Sequence, residues 1–247
     1  MIILSDFTNQ YKMKKINFLF TALLLIGATA CNDKTDEPAY TPTNEDAAKI
    51  MEESLESSSG GMLDELASLG GTLEAKSGEI ELECGVPFDT TFAFMITGDV
   101  LGEFTRNWSL LLNCMDGENP FLDINTSYLG SLVGPYGSRE REGARDWTWS
   151  EIGPIGDLRY MDGTGEHSGS RTFYANEATF AWDYDAEWTD VAIQKSTNQI
   201  ESGSGVFTLI LTGPEGNTFT FDGTVVFNGD QSATVTVNGE VYEVDLG

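Results

Sequence analysis

Three carboxylates alternate with aromatic residues in the segment Phe180-Ala-Trp-Asp-Tyr-Asp-Ala-Glu-Trp188, and their spacing suits cation binding. If the segment is a strand, Asp183, Asp185 and Glu187 share one face at intervals of about 6.6–6.8 Å. Such carboxylates could hold Ca²⁺ with help from a neighbouring residue. The alternative is a solvated strand face, because the Asp-x-Asp-x-Asp-Gly loop typical of Ca²⁺ sites is missing. Calcium is the only cofactor that the residues suggest.

Aromatic side chains suggest a second kind of chemistry, which is stacking on the flat faces of sugars. Trp147 and Trp149 share a strand face, and Tyr136 and Tyr160 flank them. These four residues are candidate glycan contacts. The alternative is core packing, because aromatic residues dominate the cores of β domains.

Catalytic chemistry is weakly indicated. His167 is the single histidine, so a metal site with two histidines is excluded. A Ser-His-Asp triad would have to use His167, yet the chain has no Gly-x-Ser-x-Gly elbow. Hydrolysis by paired carboxylates stays open, although nothing selects a pair. The sequence therefore favours a protein that is not an enzyme, and no catalytic residue is assigned.

Cys31 ends the only strongly apolar segment and is the predicted lipidation site. Lys14 and Lys15 precede the run Phe18–Ala30, which is about 20 Å long as a helix and too short for a hydrocarbon core of about 30 Å. The run is typical of a signal peptide. Its ending, Ala28-Thr-Ala-Cys31, resembles a lipobox, where cleavage precedes a cysteine that carries palmitate and other acyl chains. The alternative is an ordinary signal peptide followed by an incidental cysteine.

Cys84 and Cys114 remain as an even pair in an exported chain, which predicts a disulfide. Closing this loop would contribute about 3–4 kcal/mol in the chain-entropy model. Both side chains are expected to point inward from neighbouring strands, Cys84 on the same face as Leu82. Two buried free thiols are the alternative.

The charge balance excludes one class of partner. The chain has 13 Lys and Arg against 40 Asp and Glu, a net charge of −27. It repels nucleic acid and anionic lipid headgroups. Cationic partners and divalent cations remain open.

Composition and periodicity divide the chain into three parts. Residues 1–30 are predicted to be an upstream extension and a signal peptide, removed on maturation, and residues 31–78 a lipid-anchored acidic tether. The tether contains a short helix over 45–55 capped by Asn44, and a second helical segment over 62–69 that ends at Gly70-Gly71. Residues 79–247 are predicted to be the β domain.

Apolar residues recur with period two throughout 79–247, with Gly-containing turns between them. The fold class is therefore all-β: an antiparallel sandwich or barrel of many short strands with hairpin turns, preceded by a short N-terminal helical segment. Within it, Arg139–Asp146 alternates basic and acidic residues, which predicts a self-paired surface loop. Predicted turns are Asp116-Gly117, Asp162-Gly163, Asp222-Gly223, Asn228-Gly229 and the type I′ hairpin Asn238-Gly239.

Three segments resemble a group of uncharacterised lipoproteins from Bacteroidota, over most of residues 84–246. They are Cys84-Gly-Val-Pro-Phe-Asp-Thr-Thr-Phe92, Trp108 shortly before Cys114, and the closing strands from Phe219. The resemblance implies an exported, lipid-anchored, β-rich domain and implies no activity. Asn32-Asp-Lys-Thr-Asp-Glu37 also resembles the acidic signal that sends some lipoproteins of that phylum to the cell surface. Outer-membrane attachment at the surface is thus expected, with the periplasmic face as the alternative.

The predicted function is that of a cell-envelope lipoprotein whose β domain is non-catalytic, with a binding or structural role. The alternatives are a glycan-binding accessory module using exposed Trp and Tyr, and a hydrolase of envelope or environmental polymers. The expected partners are the membrane, through the lipid anchor, and a glycan or protein of the envelope.

Overall fold

The computed structural model describes residues 41–74, 82–98, 100–114, 119–134, 137–153, 155–173 and 178–246. The helices are α1 (Asn44–Leu55) and α2 (Met62–Glu74), separated by a 3-10 turn at Ser57–Ser59. The strands are β1 (Pro87–Ile96), β2 (Leu101–Asn113), β3 (Phe121–Gly134), β4 (Gly137–Ser150), β5 (Leu158–Phe173), β6 (Thr179–Gln194), β7 (Ile200–Thr212), β8 (Thr218–Gly229), β9 (Ser232–Val237) and β10 (Glu240–Asp245).

The ten strands form one antiparallel sheet in the order in which they occur in the chain. Each strand pairs with the next, and β1 and β10 are the two outer strands. The prediction of an antiparallel all-β domain preceded by helices is confirmed. The strands form a single open sheet, and the layer packed against it is helical.

The two faces of the sheet differ in burial. Side chains alternate between them along every strand, as the pleat requires. The face toward the helices, here called the inner face, holds the core: on β6, for example, Trp182, Tyr184 and Trp188 are buried. The opposite face, here called the outer face, is largely exposed, so the helices and the inner face together enclose the core.

Helix α1 begins with a capping box. Thr43 is the N-cap, its side chain accepts a hydrogen bond from the backbone N–H of Asp46, and the Asp46 carboxylate accepts one from Thr43 in return. The cap predicted at Asn44 is therefore one residue off. The apolar stripe of α1, including Met51 and Leu55, is buried, and the helix contacts β9 and β10.

Helix α2 continues through Gly70-Gly71, where the sequence predicted its end. A Cβ atom on Gly70 would lie 1.8 Å from Oδ1 of Asn198, so the glycine permits close packing of α2 against the β6–β7 connection. Both helices belong to the compact unit Tyr40–Gly247. Residues 44–74 thus belong to the same compact unit as the strands.

Glycines have two different roles in the strands. Asn238 and Gly239 both have positive φ angles, 48° and 88°, and join β9 to β10, as predicted. Asp222-Gly223 lies inside β8 instead, because the Phe207 ring covers Gly223 and a Cβ there would lie 2.4 Å from its Cζ atom. Asp162-Gly163 likewise lies inside β5, beside an irregularity in the pairing with β6.

Cys84 and Cys114 form a disulfide, with Cα atoms 5.5 Å apart. Both residues are exposed, so the expected inward orientation is wrong. Cys84 lies in a turn before β1, and Cys114 directly follows the end of β2. The bond therefore links the chain entering β1 to the end of the neighbouring strand, at the surface. Of the predicted strand over residues 80–86, the described part, 82–86, is not a strand.

Candidate functional site

The three carboxylates predicted to bind calcium lie on the outer face of β6, where Asp183, Asp185 and Glu187 are all exposed. They follow one another along the strand. Throughout the described part of the chain, no group of three His, Cys, Asp or Glu side chains is placed to hold a metal ion. The structure therefore does not form the predicted calcium site.

The predicted glycan contacts do not form a surface. Trp147 and Trp149 are completely buried on the inner face of β4, so core packing is the correct interpretation. Tyr160 lies on the outer face of β5, across the sheet from the tryptophans. Tyr136 lies outside the described residues, as does the predicted lipidation site Cys31. The prediction that Trp147 and Trp149 contact a glycan at the surface is therefore wrong.

All six arginines of the chain project from the inner face. Five of them are buried, and Arg139 is partly buried. They are Arg106 on β2, Arg139, Arg141 and Arg145 on β4, and Arg159 and Arg171 on β5. The segment from Arg139 to Asp146 is thus a strand with arginines inward and acids outward, and the predicted surface loop is wrong.

Carboxylates from the helices pair with these arginines. Glu65 of α2 is fully buried and forms an ion pair with Arg145, and its Oε2 lies 3.9 Å from Nε of Arg106. Asp64 binds Arg106 at 3.1 Å. Such ion pairs offset the free-energy cost of burying each charge.

A second helix carboxylate serves two strands. Glu53 of α1 forms an ion pair with Arg139 and lies 2.7 Å from Arg171. Carboxylates of the two helices thus pair with arginines on the inner face of the sheet.

Arg141 has no carboxylate partner among the described residues. Its guanidinium donates to the carbonyl oxygen of Ser59 and lies over the rings of Phe104 and Tyr128, at 4.6 and 5.6 Å. Burial, together with the neighbouring arginines, lowers the pKa of Arg141 to about 10. The side chain still carries its charge at neutral pH.

His167 lies in the same buried cluster. Its Nδ1 is hydrogen bonded to the hydroxyl of Tyr128 at 2.6 Å, and its ring stacks on Tyr184 with centroids 5.1 Å apart. Burial first, and then Arg145 and Arg141, lower the pKa of His167 well below its usual value. The imidazole is therefore neutral, and its enclosure beneath the helices gives it a role in packing.

The neutral state of His167 makes stability depend on pH. Below the unfolded-state pKa of 6.5 the unfolded chain binds a proton that the folded chain does not. The free energy of unfolding should then fall by up to about 1.4 kcal/mol per pH unit as the pH decreases from 6.5 toward the folded-state pKa. Urea unfolding at about pH 7.5 and about pH 5.5 measures this. His167→Gln should lose that part of the slope, and an identical slope in both proteins would contradict the assignment.

The outer face of β1–β5 carries a polar groove of about 910 Å³. Its floor is a hydrogen-bonded row: Thr91 donates to Oδ1 of Asn107 at 2.8 Å, and Nδ2 of Asn107 donates to Ser127 at 3.2 Å. Asp146 and Glu166 also line it. This surface is open to solvent, unlike the arginine cluster.

An apolar groove of about 760 Å³ lies on the outer face of β1–β4. Met95 is 71% and Leu129 62% exposed, and both line it. Glu103 and Glu140 also line this groove. The groove was not predicted from the sequence. Its signal there is a pair of consecutive apolar residues, such as Tyr128 and Leu129, which places apolar side chains on both faces of a strand.

The two edges of the sheet are unequal. β10 has six residues, of which Glu240, Glu243 and Asp245 are acidic. β1 has ten residues and a single charge, Asp89, and within the described chain it pairs only with β2. Natural sheets usually protect an edge with charge, proline or short length. β10 is short and acidic, whereas β1 is longer and has only Pro87 at its start and one charge.

The outer face of the described strands bears carboxylates and neither Lys nor Arg. Some of these like charges face each other directly, because Glu166 on β5 is paired in register with Asp185 on β6. Directly opposed like charges destabilise a sheet. The charged side chains on the outer face of the described strands are therefore all negative.

Within the described residues no helix is both long and apolar enough to cross a membrane. Comparison with protein-family models, with curated proteins and with solved structures finds no match to this chain, so its function is inferred from the geometry of the site.

Proposed function

We propose that the protein is a cell-envelope lipoprotein, anchored through Cys31 in the outer membrane and displayed at the cell surface, with a non-catalytic β domain that binds a polypeptide. The partner is basic and apolar, and it binds on the outer face beside β1. The observation that carries this proposal is the separation of charge across the sheet. Every arginine lies on the inner face, and the outer face is left negative around an exposed apolar groove.

The charge separation favours a cationic partner. An outer face without Lys or Arg attracts basic segments over a Debye length of about 8 Å at physiological ionic strength. A second copy of this chain, with the same net charge of −27, would be repelled.

Within the described residues β1 pairs only with β2, and this unpaired edge favours an extended partner. An added strand would form backbone hydrogen bonds along Pro87–Ile96, and every second side chain would reach the outer face. The exposed side chain of Met95 would contact apolar residues of that strand. Glu103, on β2, would pair with its basic residues.

Anchoring is supported by the sequence, through the lipobox-like ending at Cys31 and the resemblance to Bacteroidota lipoproteins.

The test uses the full chain in detergent micelles and a fluorescent ten-residue peptide alternating lysine and valine. Binding is measured by anisotropy and compared with a peptide alternating glutamate and valine. Met95→Lys should weaken binding of the basic peptide at least about tenfold, because it places a like charge in the groove. Cys31→Ala, examined in cells, should release the chain from the membrane fraction.

The matched control is Val241→Lys, which adds the same charge to a 64% exposed apolar residue on the opposite edge. It should change the affinity less than about twofold. No binding of the basic peptide, equal binding of the acidic peptide, or equal weakening by both substitutions would overturn the binding proposal. Retention of the Cys31→Ala chain on membranes would overturn the anchor alone.

A further inference from the structure

Two small cavities lie between α1 and the inner face, around Arg139 and Arg171. One has a volume of about 70 Å³ and the other about 20 Å³. Both are lined by Arg139, Arg171 and Glu53, and the smaller one also by Arg141 and Tyr184. They lie across the sheet from the proposed binding surface and are independent of it.

Two hydrogen-bond donors among the residues that line the smaller cavity lack an acceptor. The Nε atoms of Arg139 and Arg141 are buried, and neither has a hydrogen-bond partner. Leaving a buried donor of a charged group unpaired costs free energy, so such groups normally face a ligand or water. Arg141 is 5% exposed, which rules out direct hydration of its whole guanidinium by bulk solvent.

Arg141 brings a buried positive charge to this cavity that no ion pair within the described residues neutralises. Glu53 is the carboxylate that lines both cavities, and it is shared between Arg139 and Arg171. Arg141 lies beside them without a carboxylate of its own. A buried cation is tolerated when an anion accompanies it.

We propose that the smaller cavity binds one monatomic anion of chloride size, held by Arg139, Arg141 and Arg171 and by the hydroxyl of Tyr184, which lines the same cavity. Its volume of about 20 Å³ suffices for a single small guest, since about 10–15 Å³ already accommodates a water molecule. The anion is the counterion of Arg141, and it competes with the Glu53 carboxylate for Arg139 and Arg171. The anion would stabilise the contact between α1 and the sheet by neutralising the positive charge of Arg141 between them.

Halide-dependent unfolding of the full chain in detergent micelles tests this site. Melting temperatures are compared in sodium chloride, bromide and gluconate at one ionic strength of about 150 mM, so that general screening is constant. Chloride and bromide should each raise the melting temperature by several degrees over gluconate. Anomalous scattering from a bromide-soaked crystal should place the ion beside Arg141.

Variants separate the site from general effects. Arg141→Gln and the milder Tyr184→Phe should reduce the halide-dependent shift, whereas Glu53→Gln should enlarge it by removing the competing carboxylate. Arg159→Gln is the matched control, because it removes a buried arginine that packs on Trp149 away from the cavities, and it should keep the wild-type shift. Equal melting in all three salts, an unchanged shift in Tyr184→Phe, or bromide bound only elsewhere would overturn the proposal.

Discussion

Replacing Glu65 by glutamine is expected to lower the free energy of unfolding by about 3–5 kcal/mol, the loss typical of breaking a buried ion pair from one side. Glu65 has no exposed surface and pairs with Arg145 and Arg106. Its loss leaves both guanidinium groups buried without that charge. Because this carboxylate joins α2 to β2 and β4, the helix should be the first element to detach.

Urea unfolding of the full chain measures the Glu65 effect, and hydrogen exchange of α2 locates it. Glu187→Gln is the control, since it neutralises an exposed carboxylate on the outer face and should change stability by less than about 0.5 kcal/mol. A loss below about 1 kcal/mol for Glu65→Gln would show that the arginines are hydrated rather than paired.

Trp149→Ala is expected to destabilise the fold by about 3–5 kcal/mol through the cavity it leaves. The indole is completely buried, and the guanidinium of Arg159 lies 4.3 Å from its ring centroid. Removing the ring therefore also deprives a buried arginine of a cation–π contact.

The control for Trp149 is Tyr160→Ala. Tyr160 lies on neighbouring β5, faces outward and is 36% exposed, so its removal should cost far less. Thermal unfolding compares the two. A small effect of Trp149→Ala together with lost sugar binding would restore the glycan interpretation.

The strands could be predicted from the sequence because their signal is local. Alternation along a segment such as Phe180–Trp188 reports one buried and one exposed face, whatever the rest of the chain does. The hairpin at Asn238-Gly239 is local for the same reason, since both residues adopt positive φ angles. Gly223 could not be interpreted this way, because its role depends on the Phe207 ring of a neighbouring strand.

The arginine cluster could not be predicted, since its explanation is non-local. The alternation over Arg139–Asp146 is compatible with either face being buried. Arginines point inward there because Glu53 and Glu65 arrive from helices about 80 residues earlier. Solvation alone would favour acids and bases both outside, so local reasoning predicted a surface loop.

The order of the strands has a consequence for how the chain folds. Every strand pairs with its neighbour in sequence, so most of the sheet can grow hairpin by hairpin with short loops to close, which favours rapid folding. The exception is α1, which contacts β9 and β10 and whose Asn44 accepts a hydrogen bond from Asn238 at 3.1 Å, 194 residues away. The first helix can reach its final position only after the last hairpin has been delivered. The docking of α1 must therefore wait for the C-terminal strands and is a late step in folding.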